Sequence, residues 1–142
     1  MHALSATPDA PRFARRLLEA LPELACLPDV RFAAQLLASE LVANSVRHAR
    51  VSGPDAVLLT LECDERTLRA GVLDGGAGFD PLLSLAEHYA RGQLHRGIFL
   101  VDALADRWGF RRVDGCCVWF EIDLVPGRRP WRGREPIPRR DG

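Results

Sequence analysis

Lysine is missing from all 142 residues, so the 19 basic side chains are arginines. That absence excludes a Walker-type phosphate loop and Schiff-base chemistry, both of which need a lysine amine. The all-arginine usage itself reads as coding bias rather than as a functional device. Net charge is also missing: 19 acidic residues balance the 19 basic ones. No global field therefore draws the chain toward nucleic acid or an anionic membrane. No apolar run approaches the roughly 18 residues of a membrane span, and no basic-then-apolar leader opens the chain, so a cytoplasmic protein is expected. Cysteine is scarce and badly spaced for metal: Cys26, Cys63, Cys116 and Cys117 form no C-x-x-C pair. Adjacent Cys116 and Cys117 suit neither a zinc knuckle nor a disulfide framework, so reduced, partly buried thiols are expected.

What is present is a balanced soluble composition, 47% hydrophobic and 27% charged, in one domain's length. His2 to Thr7 reads as a short edge strand. Phe13, Leu17, Leu18 and Leu21 recur at helical spacing after Pro11, predicting an amphipathic helix to about Leu24. Asp29 suits the N-cap of a second helix reaching Ala49. After the Gly53-Pro54 break, Val57 to Cys63 and Leu68 to Leu73 read as strands joined by the polar turn Asp64-Glu65-Arg66. Ile98 to Ala105 reads as a short helix beginning at Gly97. Trp108 to Val113 and Cys116 to Val125 read as a hairpin around Asp114-Gly115. Trp108, Trp119 and Phe120 are expected to pack the sheet against the helices.

That order predicts an α+β fold: a two-layer α/β sandwich whose mixed, mostly antiparallel sheet is covered by helices on one face. The domain is expected to span 1–125. Residues 126–142 carry four prolines, three glycines and six arginines against only Glu135 and Asp141. That basic tail cannot bury enough apolar surface to order itself and is expected to be disordered.

Three segments carry chemistry. In Glu40-Leu-Val-Ala-Asn44-Ser-Val-Arg47-His48, the four numbered residues share one helix face. Two oxygen-bearing side chains one turn apart suit a hard cation such as magnesium, and Arg47 suits a phosphate. A solvated helix face satisfies the same spacing. In Asp74-Gly75-Gly76-Ala77-Gly78-Phe79, glycines let the backbone turn sharply and let a flat ligand approach, while Asp74 can accept a hydrogen bond from an exocyclic amine. A plain glycine turn is the alternative, and the dinucleotide fingerprint G-x-G-x-x-G is not present. In Arg96-Gly97-Ile98-Phe99-Leu100-Val101, a helix opening at glycine offers N–H groups to phosphate, or is merely a hinge. Asp102 and Asp106, one turn apart after it, read as a solvated face or a partner surface. His88 reads as a surface residue.

Taken together, E-L-x-x-N-x-x-x-H-A, D-x-G-x-G-F-D-P, R-G-I-x-L-V-D-x-L-A-D-x-W-G and G-x-x-V-W-F-E resemble the GHKL ATPase superfamily with its Bergerat fold. Within it, the chain is most similar to the stand-alone anti-sigma factor serine/threonine kinases of actinobacteria. The resemblance covers about residues 10 to 124. It implies ATP and Mg2+ as cofactors, with Glu40 as general base for a partner's hydroxyl and Asn44 as the metal ligand. It implies Arg47 and His48 beside the phosphates, Asp74 reading the adenine amino group, and Gly76 and Gly78 shaping the pocket. Asp80 to His95 matches the lid, with Arg96 and Gly97 leading into the phosphate-facing helix. The implied partners are an anti-sigma antagonist protein, which would be phosphorylated, and a sigma factor, with a homodimer as the state such kinases commonly adopt. Neither nucleic acid nor membrane is an expected partner.

One departure bears on turnover. Where the family's second glycine box reads G-x-G, this chain reads His95-Arg96-Gly97. His95 either obstructs close phosphate approach or, with Arg96, contacts phosphate itself. Two readings follow: an active kinase, or a partner-binding regulator of the same fold with an impaired nucleotide site. A sensor-kinase catalytic fragment is a third, weaker one, because no phosphoacceptor-histidine helix pair is present.

Overall fold

Side chains that alternate between the two faces of each strand build the sheet. In the computed structural model, residues 2–5, 7–48, 56–74, 96–112, 116–125 and 138–140 are described. Strands β2 (Ala56–Cys63) and β3 (Thr67–Asp74) form a hairpin. Its turn closes on Asp64, whose Oδ1 accepts the backbone N–H groups of Arg66 at 2.7 Å and Thr67 at 2.8 Å. A short side-chain carboxylate here does what a backbone carbonyl does in an ordinary turn. β4 (Arg107–Arg112) and β5 (Cys116–Asp123) pair antiparallel, and β5 also pairs with β3. β1 (His2–Ser5) is the antiparallel edge beside β2, as the sequence suggests, though it stops before Thr7. The expected Asp114-Gly115 turn lies outside the described residues.

The far edge differs from expectation. Within the tail read as disordered, Pro138–Arg140 form β6, which runs parallel to β4 with Pro138 opposite Trp108. Three residues can join a sheet edge through backbone hydrogen bonds alone, which composition does not register. Residues 126–137, 141 and 142 lie outside the described residues. Among the described residues the order is β1-β2-β3-β5-β4-β6, five antiparallel strands with one parallel strand added.

Helices α1 (Ala10–Glu19), α2 (Pro28–His48) and α3 (Arg96–Leu104) cover one face of this sheet. The first helix ends earlier than its apolar spacing predicts. Pro22 drives Leu21 into an extended conformation (ψ 116°), and only a 3-10 turn, Pro22–Leu24, follows. At the next helix Pro28 takes the first position and Asp29 falls inside the first turn rather than capping it. α2 is the central element. Ala33, Ala34, Leu37, Ala38, Leu41 and Val42 are all buried, because α1 and α3 flank it and β2, β3 and β5 lie beneath.

The register sorts the strands' side chains by face. Leu59, Leu68, Ala70, Val72, Phe110, Val118, Phe120 and Ile122 join the helices in one core. Fully burying a side chain such as Phe110 or Phe120 contributes on the order of 2–3 kcal/mol. Trp119 is a correction. It neighbours Phe120 on β5 and therefore points to the opposite face, away from the helices, where it lies between Gly71 and Gly109. The Arg69 guanidinium sits over its ring, 4.2 Å from the centroid. Arg69, Glu121, Arg107 and Asp123 form a ladder of ion pairs on that same face.

Candidate functional site

Glu40 and Asn44 stand one turn apart on α2, as their spacing requires. Their environments differ. Glu40 is half-buried, whereas Asn44 is 6% exposed. An asparagine is a mediocre helix former and costs free energy to bury unless it is hydrogen-bonded. Arg47 and His48 complete the last turn of α2. Their side chains lie outside the described residues.

The other candidates sit where chain segments end. Asp74 is the last residue of β3, opposite Cys116 at the start of β5. Arg96 and Gly97 form the first turn of α3. The side chains of Asp74 and Arg96, together with Gly76, Gly78, His88, His95 and the whole expected lid, lie outside the described residues. The fold thus brings three carriers together: α2 with Glu40 and Asn44 packs on β3, which ends at Asp74, and against α3, which begins at Arg96.

The donor set suits magnesium bound with a phosphorylated ligand. Magnesium keeps several waters and takes only one or two oxygen ligands from protein, the rest coming from phosphate. A single buried amide oxygen at Asn44, with the Glu40 carboxylate one turn away, fits that pattern. Among the described residues no group of three or more histidine, cysteine and carboxylate side chains gathers to hold a metal by itself. No helix among them is long and apolar enough to cross a membrane.

Sequence reasoning missed a second set of polar contacts, at the C-terminal end of α3. Asp102, read as part of a solvated acidic face, is 5% exposed, and its Oδ1 accepts the Trp108 Nε1–H at 2.9 Å. Asp106 lies beyond the end of α3. Its backbone N–H donates to the Glu121 carbonyl at 2.9 Å, and its Oδ2 accepts the Asp123 N–H at 2.6 Å. The signal was available. Asp102 stands three residues from both Phe99 and Ala105, on the apolar stripe of its own helix.

A family model described as histidine kinase-like ATPase domain matches residues 4–122. The match runs from β1 through β5 and takes in every candidate residue above. No curated protein matches the chain.

Proposed function

Because the chain belongs to the histidine kinase-like ATPase domain family, we propose that it is an ATP-dependent serine/threonine kinase of the anti-sigma type. Nucleotide binding comes with the family; the protein substrate and the partners are our reading. The observation that supports it most is that α2, the helix carrying Glu40 and Asn44, packs both on β3 and against α3.

Each residue then has one task. Asp74 accepts a hydrogen bond from the adenine amino group, while the glycines after it leave room for the ring. Asn44 supplies the oxygen ligand for magnesium, and Arg47, His48, Arg96 and the N–H groups at Gly97 face the phosphates. Magnesium, when bound, neutralises charge on the phosphates during transfer. Glu40 takes the proton from a serine or threonine hydroxyl of an anti-sigma antagonist. That oxygen receives the γ-phosphoryl group, and ADP leaves. A sigma factor is the second partner, competing with the antagonist for the same protein, so that nucleotide state and partner choice are linked.

The sequence His95-Arg96-Gly97 favours a second reading, a partner-binding regulator that keeps the fold without turnover. Calorimetric titration of Mg-ATP into the protein and its Asp74→Asn variant comes first. Micromolar-range binding that the variant loses supports the site; no binding at millimolar ATP overturns it. Phosphotransfer to candidate antagonists then separates the two readings. Glu40→Gln in a kinase lowers the rate by about 10²–10⁴-fold while partners still bind; in a regulator it changes nothing.

A further inference from the structure

We propose that Asp102 is a positioning residue for the nucleotide site, acting through Trp108 to fix where the first turn of α3 stands. This rests on the nucleotide reading above. Trp108 is fully buried on β4, paired with Phe120 of β5, and its indole N–H reaches back to Asp102 on α3. The two Asp106 bonds to the backbone of β5 tie down the same end of the helix. The C-terminal end of α3 is therefore held to the sheet by three directional bonds.

An apolar residue at 102 would pack in the same place without burying a carboxylate, which is unfavourable unless well bonded. What the aspartate adds is direction. Packed helices slide past one another by small shear movements, and apolar contacts resist that only weakly. A hydrogen bond weakens steeply as its geometry departs from linear, so the Trp108–Asp102 bond fixes both the rotation and the axial position of α3. Arg96 and Gly97 lie five to six residues toward the N-terminus, about 7.5–9 Å along the same rigid helix. A shift at Asp102 is carried undiminished to their N–H groups, and displacements of about 1 Å are enough to spoil phosphate contacts.

The prediction is specific to phosphate. In Asp102→Leu, Mg-ATP affinity falls about ten-fold while adenosine affinity stays within about two-fold, since the adenine end is held by β3 rather than α3. Asp102→Asn keeps an amide oxygen that can accept the indole N–H and recovers most of the loss; Trp108→Phe, which removes the donor, reproduces it. A second measurement uses the unsubstituted protein: Mg-ATP, but not adenosine, slows hydrogen exchange at the Trp108 indole N–H, because coupling between two sites is reciprocal. Variants that bind both ligands like the wild type, or lose both in equal proportion, overturn the proposal, as does indole exchange indifferent to Mg-ATP. A wild-type protein that binds no nucleotide overturns the reading on which it rests, and that result is visible before any variant is made.

Discussion

Gly71 and Trp119 face one another across β3 and β5, on the sheet face turned away from the helices. A Cβ placed at Gly71 would lie 2.7 Å from Thr60 Oγ1 and 3.6 Å from the Trp119 Cβ. The threonine hydroxyl is not idle there; it donates to the Gly71 carbonyl at 3.3 Å. Gly71→Ala is expected to lower stability by about 1–2 kcal/mol through overpacking. Adding Thr60→Ala removes the clash, and chemical denaturation of the double variant should show most of the loss recovered. Two additive losses would mean that the glycine is needed for something other than space.

Arg107 of β4 joins two carboxylates of the neighbouring strand β5. Its Nε donates to Glu121 at 3.0 Å, and its terminal nitrogens make a two-pronged contact with Asp123. Hydrogen bonding to Asp123 above all, with further support from Glu121, raises the guanidinium's already high pKa. Arg107→Met keeps the length of the side chain and leaves Asp123 without this cation. The expected cost is about 1–2 kcal/mol in low salt. Because these groups are partly exposed, the difference should narrow as salt approaches 1 M; a salt-independent loss would assign the effect to packing.

The Asp64 turn makes a prediction about acid. Two backbone N–H bonds, those of Arg66 and Thr67 in that order, hold its carboxyl below the ordinary value of 3.8. A depressed carboxyl contributes stability that is present above the unfolded pKa and lost as pH falls through the folded one. Melting temperatures of wild type and Asp64→Ala should therefore differ most at pH 6 and converge toward pH 2. Parallel curves would show that the turn's charge contributes nothing.

The strands and α2 were legible because their signals are local. Alternation over 57–63 and 68–73 and helical spacing through 30–48 each need only neighbouring residues. The face of Trp119 was not, although strand alternation with Phe120 contained the answer once the register was fixed. Asp102 failed for a different reason. A carboxylate on a helix is ordinarily solvated, and the apolar stripe around Asp102 does not reveal the donor that the tertiary placement of Trp108, six residues on, brings to it. β6 had no signal at all, since its pairing with β4 runs through the backbone. Of the candidate site, the sequence order of Glu40, Asn44, Asp74 and Arg96 was readable, whereas the packing of α2 on β3 and α3 depends on how that helix lies across the sheet.

Thiol reactivity should follow environment. Burial above all, then the charges of Glu23 and Asp64, push the Cys63 thiol up to about 11. Cys26 is exposed in the segment between α1 and α2. The thiolate is the reactive species, so at pH 8 iodoacetamide should label Cys26 well before Cys63, with labelling of Cys63 accelerating only as pH nears 11. Peptide mass spectrometry over a time course reads both, and equal rates at pH 8 would contradict the raised value.

Glu40 and Asn44 share a helix face but should answer differently to substitution, and the difference tests their separate tasks. Asn44 is almost wholly enclosed, so Asn44→Ala removes a buried amide and leaves its surroundings short of a polar group. A stability loss of about 1–2 kcal/mol is expected. If Asn44 also provides the magnesium ligand, the variant loses the magnesium dependence of ATP binding as well as affinity. Glu40 is only half-buried, and Glu40→Gln keeps its shape. Its stability should stay within about 0.5 kcal/mol of wild type and its Mg-ATP affinity nearly unchanged, with the loss confined to phosphotransfer. Calorimetry with and without magnesium, run beside thermal melts, separates these outcomes. Should Asn44→Ala bind ATP with unaltered magnesium dependence, the amide is there for the fold, and the metal ligand must be sought elsewhere on the site.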